Sequence, residues 1–172
     1  MATAKKKERA LPGSPLGTMF DVTCTGTTPL GMHNNRLAVK TDPFTRALSL
    51  AIKEGKKKDA DVDISAERVA HCEFRGGIYH DEKLGPYVPC TWVEANIQEA
   101  AKLTRQGMTV ERGLSVIQNR IPIEYTGVRD VEELYEADYY DIRIVNLDPS
   151  KGRKGPRGPR CRPLFPTWKI SY

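Results

Sequence analysis

The chain has 172 residues and carries 27 Lys and Arg against 22 Asp and Glu, a net charge of +5. That length fits one domain burying roughly 70% of the surface its unfolded chain exposes, and no run approaches the ~20 apolar residues that span a bilayer, so no membrane partner is expected. Cys24, Cys72, Cys90 and Cys161 form no Cys-x-x-Cys pair and read as reduced thiols, and the lysine-rich start lacks the apolar run of a signal peptide, which together imply a cytoplasmic protein.

Residues 1–17 hold Lys5, Lys6, Lys7 and Arg9 followed by Pro12, Gly13, Pro15 and Gly17, and are expected to form a disordered basic arm. Residues 18–172 are expected to form a single α+β domain. Its first strand is read over 19–25, where Phe20, Val22 and Cys24 alternate with polar neighbours. A Gly/Asn-rich loop then carries Met32 and His33.

Asp42 before Pro43 is a helix start, and Phe44, Ala47, Leu48, Ala51 and Ile52 make one apolar stripe that Gly55 closes. Lys56, Lys57 and Lys58 follow, where the helix dipole favours cations. A second helix is predicted from about Asp63 or Ser65 to Phe74, with Ala66, Val69 and Ala70 inward and Gly76-Gly77 as its stop. Extended pieces near Tyr79-His80 and Gly85–Pro89 flank a turn at Asp81 to Lys83. Thr91 and Glu94 have the spacing of a capping box that opens a third helix ending near Arg105.

The second half reads as mainly strand: 114–117, 121–125 with Pro122 at an edge, a short helix capped by Asp130, and strands at 139–145 and 168–172. In the strand at 139–145, Ile142 and Ile144 alternate with Asp141 and Arg143, the pattern of a half-buried strand. Between the last two strands, residues 148–163 are a Gly/Pro-rich basic loop for which no regular structure is expected. Together with the N-terminal arm it holds ten of the basic residues and two of the acidic ones, so the remaining body has 17 basic against 20 acidic. Positive charge segregated onto arms of an acidic body suits segments that reach for a polyanion.

The motifs of common chemistries are missing. His71, Cys72, His80 and Cys90 have no metal-ligand spacing, and no Walker loop, Gly-x-Gly-x-x-Gly or Gly-x-Ser-x-Gly occurs. The reading is therefore non-enzymatic, with no metal and no small-molecule cofactor. Cys161 is flanked by Arg160 and Arg162, whose charge would lower a thiol pKa, but no base accompanies it. Candidate nucleic-acid contacts are Lys56, Lys57, Lys58, Lys151, Arg153, Lys154, Arg157, Arg160 and Arg162 for phosphates, with His33 as a loop contact and Tyr79, Tyr87 or Trp92 for base stacking.

The loop Pro29-Leu-Gly-Met-His-Asn34, the Gly76-Gly-Ile-Tyr79 turn, the Tyr87-Val-Pro89 entry into the third helix and the closing Arg160-Cys-Arg-Pro-Leu-Phe-Pro-Thr-Trp168 resemble a family of proteins encoded in tailed-phage genomes. The glycine and Tyr-x-Pro element within 76–105 also resembles the RAMP-type backbone subunits of CRISPR effector complexes. That resemblance implies a ferredoxin-like, RRM-like antiparallel sheet with helices on one face, binding single-stranded DNA or RNA and stacking into a homo-oligomer in the host cytoplasm. The family's glycine-rich loop near the end is absent. The sequence stops within the strand pattern at Tyr172, so a neighbouring subunit is expected to complete the sheet unless the chain is a piece of a longer one. The alternative reading is a phage structural or interaction protein whose basic arm docks an acidic protein surface; a nuclease is the third.

Overall fold

The computed structural model describes residues 18–57, 59, 61–146, 150 and 157–172. The expected N-terminal arm, Lys58, Lys151, Arg153 and Lys154 lie outside the described residues, as does the side chain of Arg157. Within them the fold is mixed α+β, with five α-helices and only antiparallel strand pairs in the registers described below. No described helix is long and apolar enough to cross a membrane. The described residues form two compact units, the first from those within 18–28, 81–126 and 167–172 and the second from those within 29–80 and 127–166.

In the first unit, β1 (Thr23–Thr25) pairs with β8 (Lys169–Ser171), Cys24 opposite Ile170. The expected pairing of the Trp168–Tyr172 segment is thus made within the chain, and reciprocal bonds between Val22 and Tyr172 of 2.7 and 2.9 Å extend it. Phe20, expected inward, is exposed. β4 (Gly85–Pro89) pairs with β5 (Arg120–Pro122), placing Tyr87 opposite Pro122. Pro86, Val88, Val93, Ile121, Ile123 and Ile170 are among the buried apolar side chains here.

Helix α3 (Cys90–Lys102) begins one residue earlier than expected, with Pro89 at its N-cap and no side-chain cap bond. The Thr91/Glu94 capping box does not form, because Thr91 already lies inside the helix; Glu94 instead accepts the Val116 N–H at 2.9 Å. The strand expected at 114–117 is absent. A short helix, α4 (Gly107–Gly113), precedes that segment and packs on α3, and Leu114 and Ile117 are exposed.

In the second unit, α1 (Pro43–Gly55) is capped by the Asp42 carboxylate, which accepts the Phe44 N–H at 2.9 Å, and it buries Leu48 and Ala51. Helix α2 (Val62–Gly77) starts from Asp61 and packs against α1. Its inner face is Ser65, Val69, Ala70, Glu73 and Phe74, with Ala66 exposed against expectation. Helix α5 (Val131–Glu136) is capped by Asp130 as the sequence suggests. The sheet of this unit has the order β2-β7-β6, made of β2 (Leu30–Gly31), β7 (Arg157–Phe165) and β6 (Tyr140–Asn146). The remaining strand, β3 (His80–Asp81), is the dipeptide with which the chain passes from this unit to the other.

The largest departure from the sequence reading is β7. Part of the stretch expected to lack regular structure is a nine-residue strand whose register sets Asn146 opposite Arg157, Ile142 opposite Cys161 and Tyr140 opposite Pro163. Its prolines are tolerated by parity. The Leu164 N–H donates to the Tyr139 carbonyl at 2.8 Å, so even-numbered β7 residues bond β6 and odd-numbered ones turn their backbone groups the other way. Pro159 and Pro163 are both odd, and their missing N–H costs no bond to β6. Phe74, Leu134, Met32, Cys161 and Phe165 form the core between this sheet and α2.

Candidate nucleic-acid interface

The loop that carries His33 is fixed by the end of α2. Asn34 donates its N–H to the Gly77 carbonyl at 2.9 Å, and the guanidinium of Arg36 donates to the carbonyls of Arg75, Gly76 and Ile78 at 2.6, 2.9 and 2.8 Å while stacking 4.0 Å over Phe44. A cation there satisfies the helix's last carbonyls and its dipole. The Met32 N–H donates to Pro163 at 2.8 Å, which sets the exposed His33 beside the middle of β7.

One carboxylate organises this place. Glu73, buried on α2, accepts the Cys161 N–H at 2.8 Å and pairs with the Arg160 guanidinium. Cys161 is odd, so its N–H points to the edge of β7 that β2 leaves uncovered, and the carboxylate stands where a further strand's carbonyl would be. His33 senses the same group: partial burial, then the charges of Arg162 and Arg160, push its pKa below the ordinary value, and Glu73 opposes them only in part. Arg162 is exposed and forms no ion pair with a described residue. Three sequence candidates thus meet in one place: Arg160 and Arg162 both act on His33, and Glu73 holds Arg160.

By strand alternation Arg160 and Arg162 leave β7 on the face away from α2, together with Asp141 and Arg143 of β6, where Arg143 is paired with Asp141. Cys161 points the other way. Its arginine neighbours do not activate it; burial, with Glu73 and Asp141 nearby, pushes the thiol up to about 12, which excludes a thiolate nucleophile at neutral pH. The α2 side carries the opposite charge. A groove of about 550 Å³ there is lined by Glu67, Glu132, Glu136 and Asp138 alongside Arg68 and His71.

The other candidates stand apart. Lys56 and Lys57 are exposed after α1 and unpaired among the described residues. The sequence reading missed their continuation: Lys40, Arg46 and Lys53 line a groove of about 400 Å³ along α1 with Thr45, Ser49 and Leu50 and no acidic residue. The signal was present, since Arg46 and Lys53 are two helical turns apart on the face opposite Leu48 and Ala51. The stacking candidates are not bare: Tyr79, Tyr87 and Trp92 are all half-buried, and Arg120 already lies over the Tyr87 ring at 5.3 Å. Among the described residues no cluster of three His, Cys, Asp or Glu side chains is placed to hold a metal ion. Compared with family models, curated proteins and solved structures, the chain matches none of them.

Proposed function

We propose that this protein is a non-enzymatic binder of single-stranded nucleic acid, DNA or RNA, that holds phosphates on the sheet face of its second unit. The observation that carries the reading is that Arg160, held by Glu73, and Arg162 come together beside His33. Burial first, and then the charges of Arg162 and Arg160, lower the proton affinity of His33, and Arg162 is exposed with no ion pair to a described residue, so its cation faces solvent where a phosphate can reach it. An antiparallel sheet backed by α2, with cations on its other face, is the arrangement through which a ferredoxin-like or RRM-like protein grips a backbone. Lys151, Arg153 and Lys154, in the segment joining β6 to β7, extend the charge along the chain.

Fluorescence anisotropy with a labelled oligonucleotide, titrated at several salt concentrations, tests this. Every phosphate of a single strand that the protein neutralises adds about 0.7 to the steepness with which log affinity falls against log salt. Arg162→Ser is expected to remove about one such step and the triple change Lys151, Arg153 and Lys154 to serine about three. Affinity and salt slope equal to the parent's in both variants would overturn the reading. Binding of an acidic protein with no affinity for oligonucleotides would favour the docking alternative.

A further inference from the structure

The strand β6 is unfinished on one side. It lies at the edge of the β2-β7-β6 sheet, and among the described residues its backbone bonds go to β7 alone. The residues that bond β7 are Tyr139, Asp141, Arg143 and Val145, so Tyr140, Ile142 and Ile144 turn their N–H and C=O groups to the open edge. Edge strands are usually guarded by Pro, Lys or a bulge. Here β6 reads Tyr-Asp-Ile-Arg-Ile-Val-Asn, with neither Pro nor Lys, while the prolines sit in β7. Ile142 and Ile144 are 51% and 73% exposed, on a strand whose alternation marks them for burial.

We infer that β6 is a homodimer seam: it pairs antiparallel with β6 of a second copy about a two-fold axis through Ile142. The charge pattern selects both the occupant and the register. With Ile142 opposite Ile142 of the second copy, Asp141 of each chain lies opposite Arg143 of the other, and Ile144 lies opposite Tyr140. The apolar pairs share one face and the four charges form an alternating square on the other. A slip of two residues one way sets Arg143 against Arg143 and the other way Asp141 against Asp141, both unfavourable for like charges directly opposed. A slip of one residue sets outward-turned backbone groups against inward-turned ones. The chosen register also makes Ile142 and the Tyr140/Ile144 pair the hydrogen-bonded positions, which are the ones with free groups. The product is a continuous six-stranded sheet, β2-β7-β6-β6-β7-β2, with an isologous interface that stops at two copies.

The dimer does not depend on nucleic-acid binding, and no oligonucleotide enters its test. Sedimentation equilibrium of the full chain is expected to show a monomer–dimer equilibrium limiting at twice 19.3 kDa. Asp141→Arg and Arg143→Asp alone each oppose like charges twice, because the axis repeats every substitution, and are expected to weaken the dimer about tenfold or more. The double exchange Asp141→Arg with Arg143→Asp restores the pairs and is expected to return the dimer to near parental strength. Ile142→Lys sets two ammoniums across the axis and is expected to give a monomer; Ile142→Thr, which keeps β propensity, covers the case in which lysine unfolds the strand and is expected to weaken the dimer. Circular dichroism checks folding throughout. A parent that stays monomeric up to its solubility limit, a limiting mass above two chains, or single exchanges that dimerise like the parent would each overturn the seam.

Discussion

Replacing Glu73 by alanine removes the acceptor of the Cys161 N–H and the partner of Arg160 in one step. A buried donor left without an acceptor costs about 1–3 kcal/mol. Removing one member of a fully buried ion pair costs about 3–5 kcal/mol, but the Arg160 side chain is 37% exposed and can turn to water, so the full figure does not apply. The sum expected for Glu73→Ala is about 3 kcal/mol, or a melting temperature lower by about 6–12 °C for a chain of this size. Glu73→Gln keeps an oxygen for the Cys161 N–H and loses only the charge, so about 1 kcal/mol is expected. Urea unfolding followed by far-UV circular dichroism reads both variants. If Glu73→Ala lies within about 0.5 kcal/mol of the parent, the carboxylate is not closing the edge of β7 and the construction of the site is wrong.

Gly26→Ala is expected to be strongly destabilising and to change Trp168 fluorescence, because a Cβ there would fall inside the indole that donates to the Thr28 carbonyl at 2.8 Å; unchanged stability and emission would contradict the packing. Cys161 is expected to resist alkylation at pH 8 until the chain is unfolded, since its thiol is buried and pushed up to about 12; labelling as fast as that of the part-exposed cysteines would show the site open. The His33 imidazole takes its proton at lower pH in the native chain than in the unfolded one. Between those two values the unfolded state binds more protons, so His33 contributes stability above about pH 6.5 that is lost as pH falls through its native pKa. His33→Gln should flatten that part of a urea-midpoint profile, and an unaltered profile would refute the shift.

Much of the helical framework is legible in the sequence because helix signals are local. Asp42-Pro43 and Asp130 cap the helices that their positions predict, and Leu48 and Ala51 of the predicted stripe face inward while Ala47 is exposed. What the sequence hides is set by distant partners. The Thr91/Glu94 spacing makes a box only where the threonine stands outside the helix, and the chain enters that helix already at Cys90. Pro159 and Pro163 argue against a strand until the register shows that their backbone nitrogens face away from β6. Alternation in β6 separates two faces but cannot say that Ile142 and Ile144 are left exposed. For the site, loop position and charge are enough to single out His33, Arg160 and Arg162. Glu73, 87 residues before Arg160 in the chain, gives no signal, since a glutamate in a helix is ordinarily a solvated one.

The charge of the basic segment therefore has two physical roles that the sequence presents as one. A uniform tether of cations would allow every one of them to be removed without touching the fold. Arg160 does not fit that description, because its guanidinium neutralises a carboxylate that holds a backbone amide of the central strand. Arg162, two residues on and facing the same way, is bound to nothing among the described residues. A serine at Arg160 removes the counter-charge of a buried glutamate, and that cost falls on stability first. A serine at Arg162 removes only surface charge, with a stability change inside about 0.5 kcal/mol, and its whole effect is available to ligand binding. Binding and folding are thus coupled at Arg160 and separable at Arg162, and comparing those two single variants distinguishes a phosphate-binding face from a strand that is merely basic.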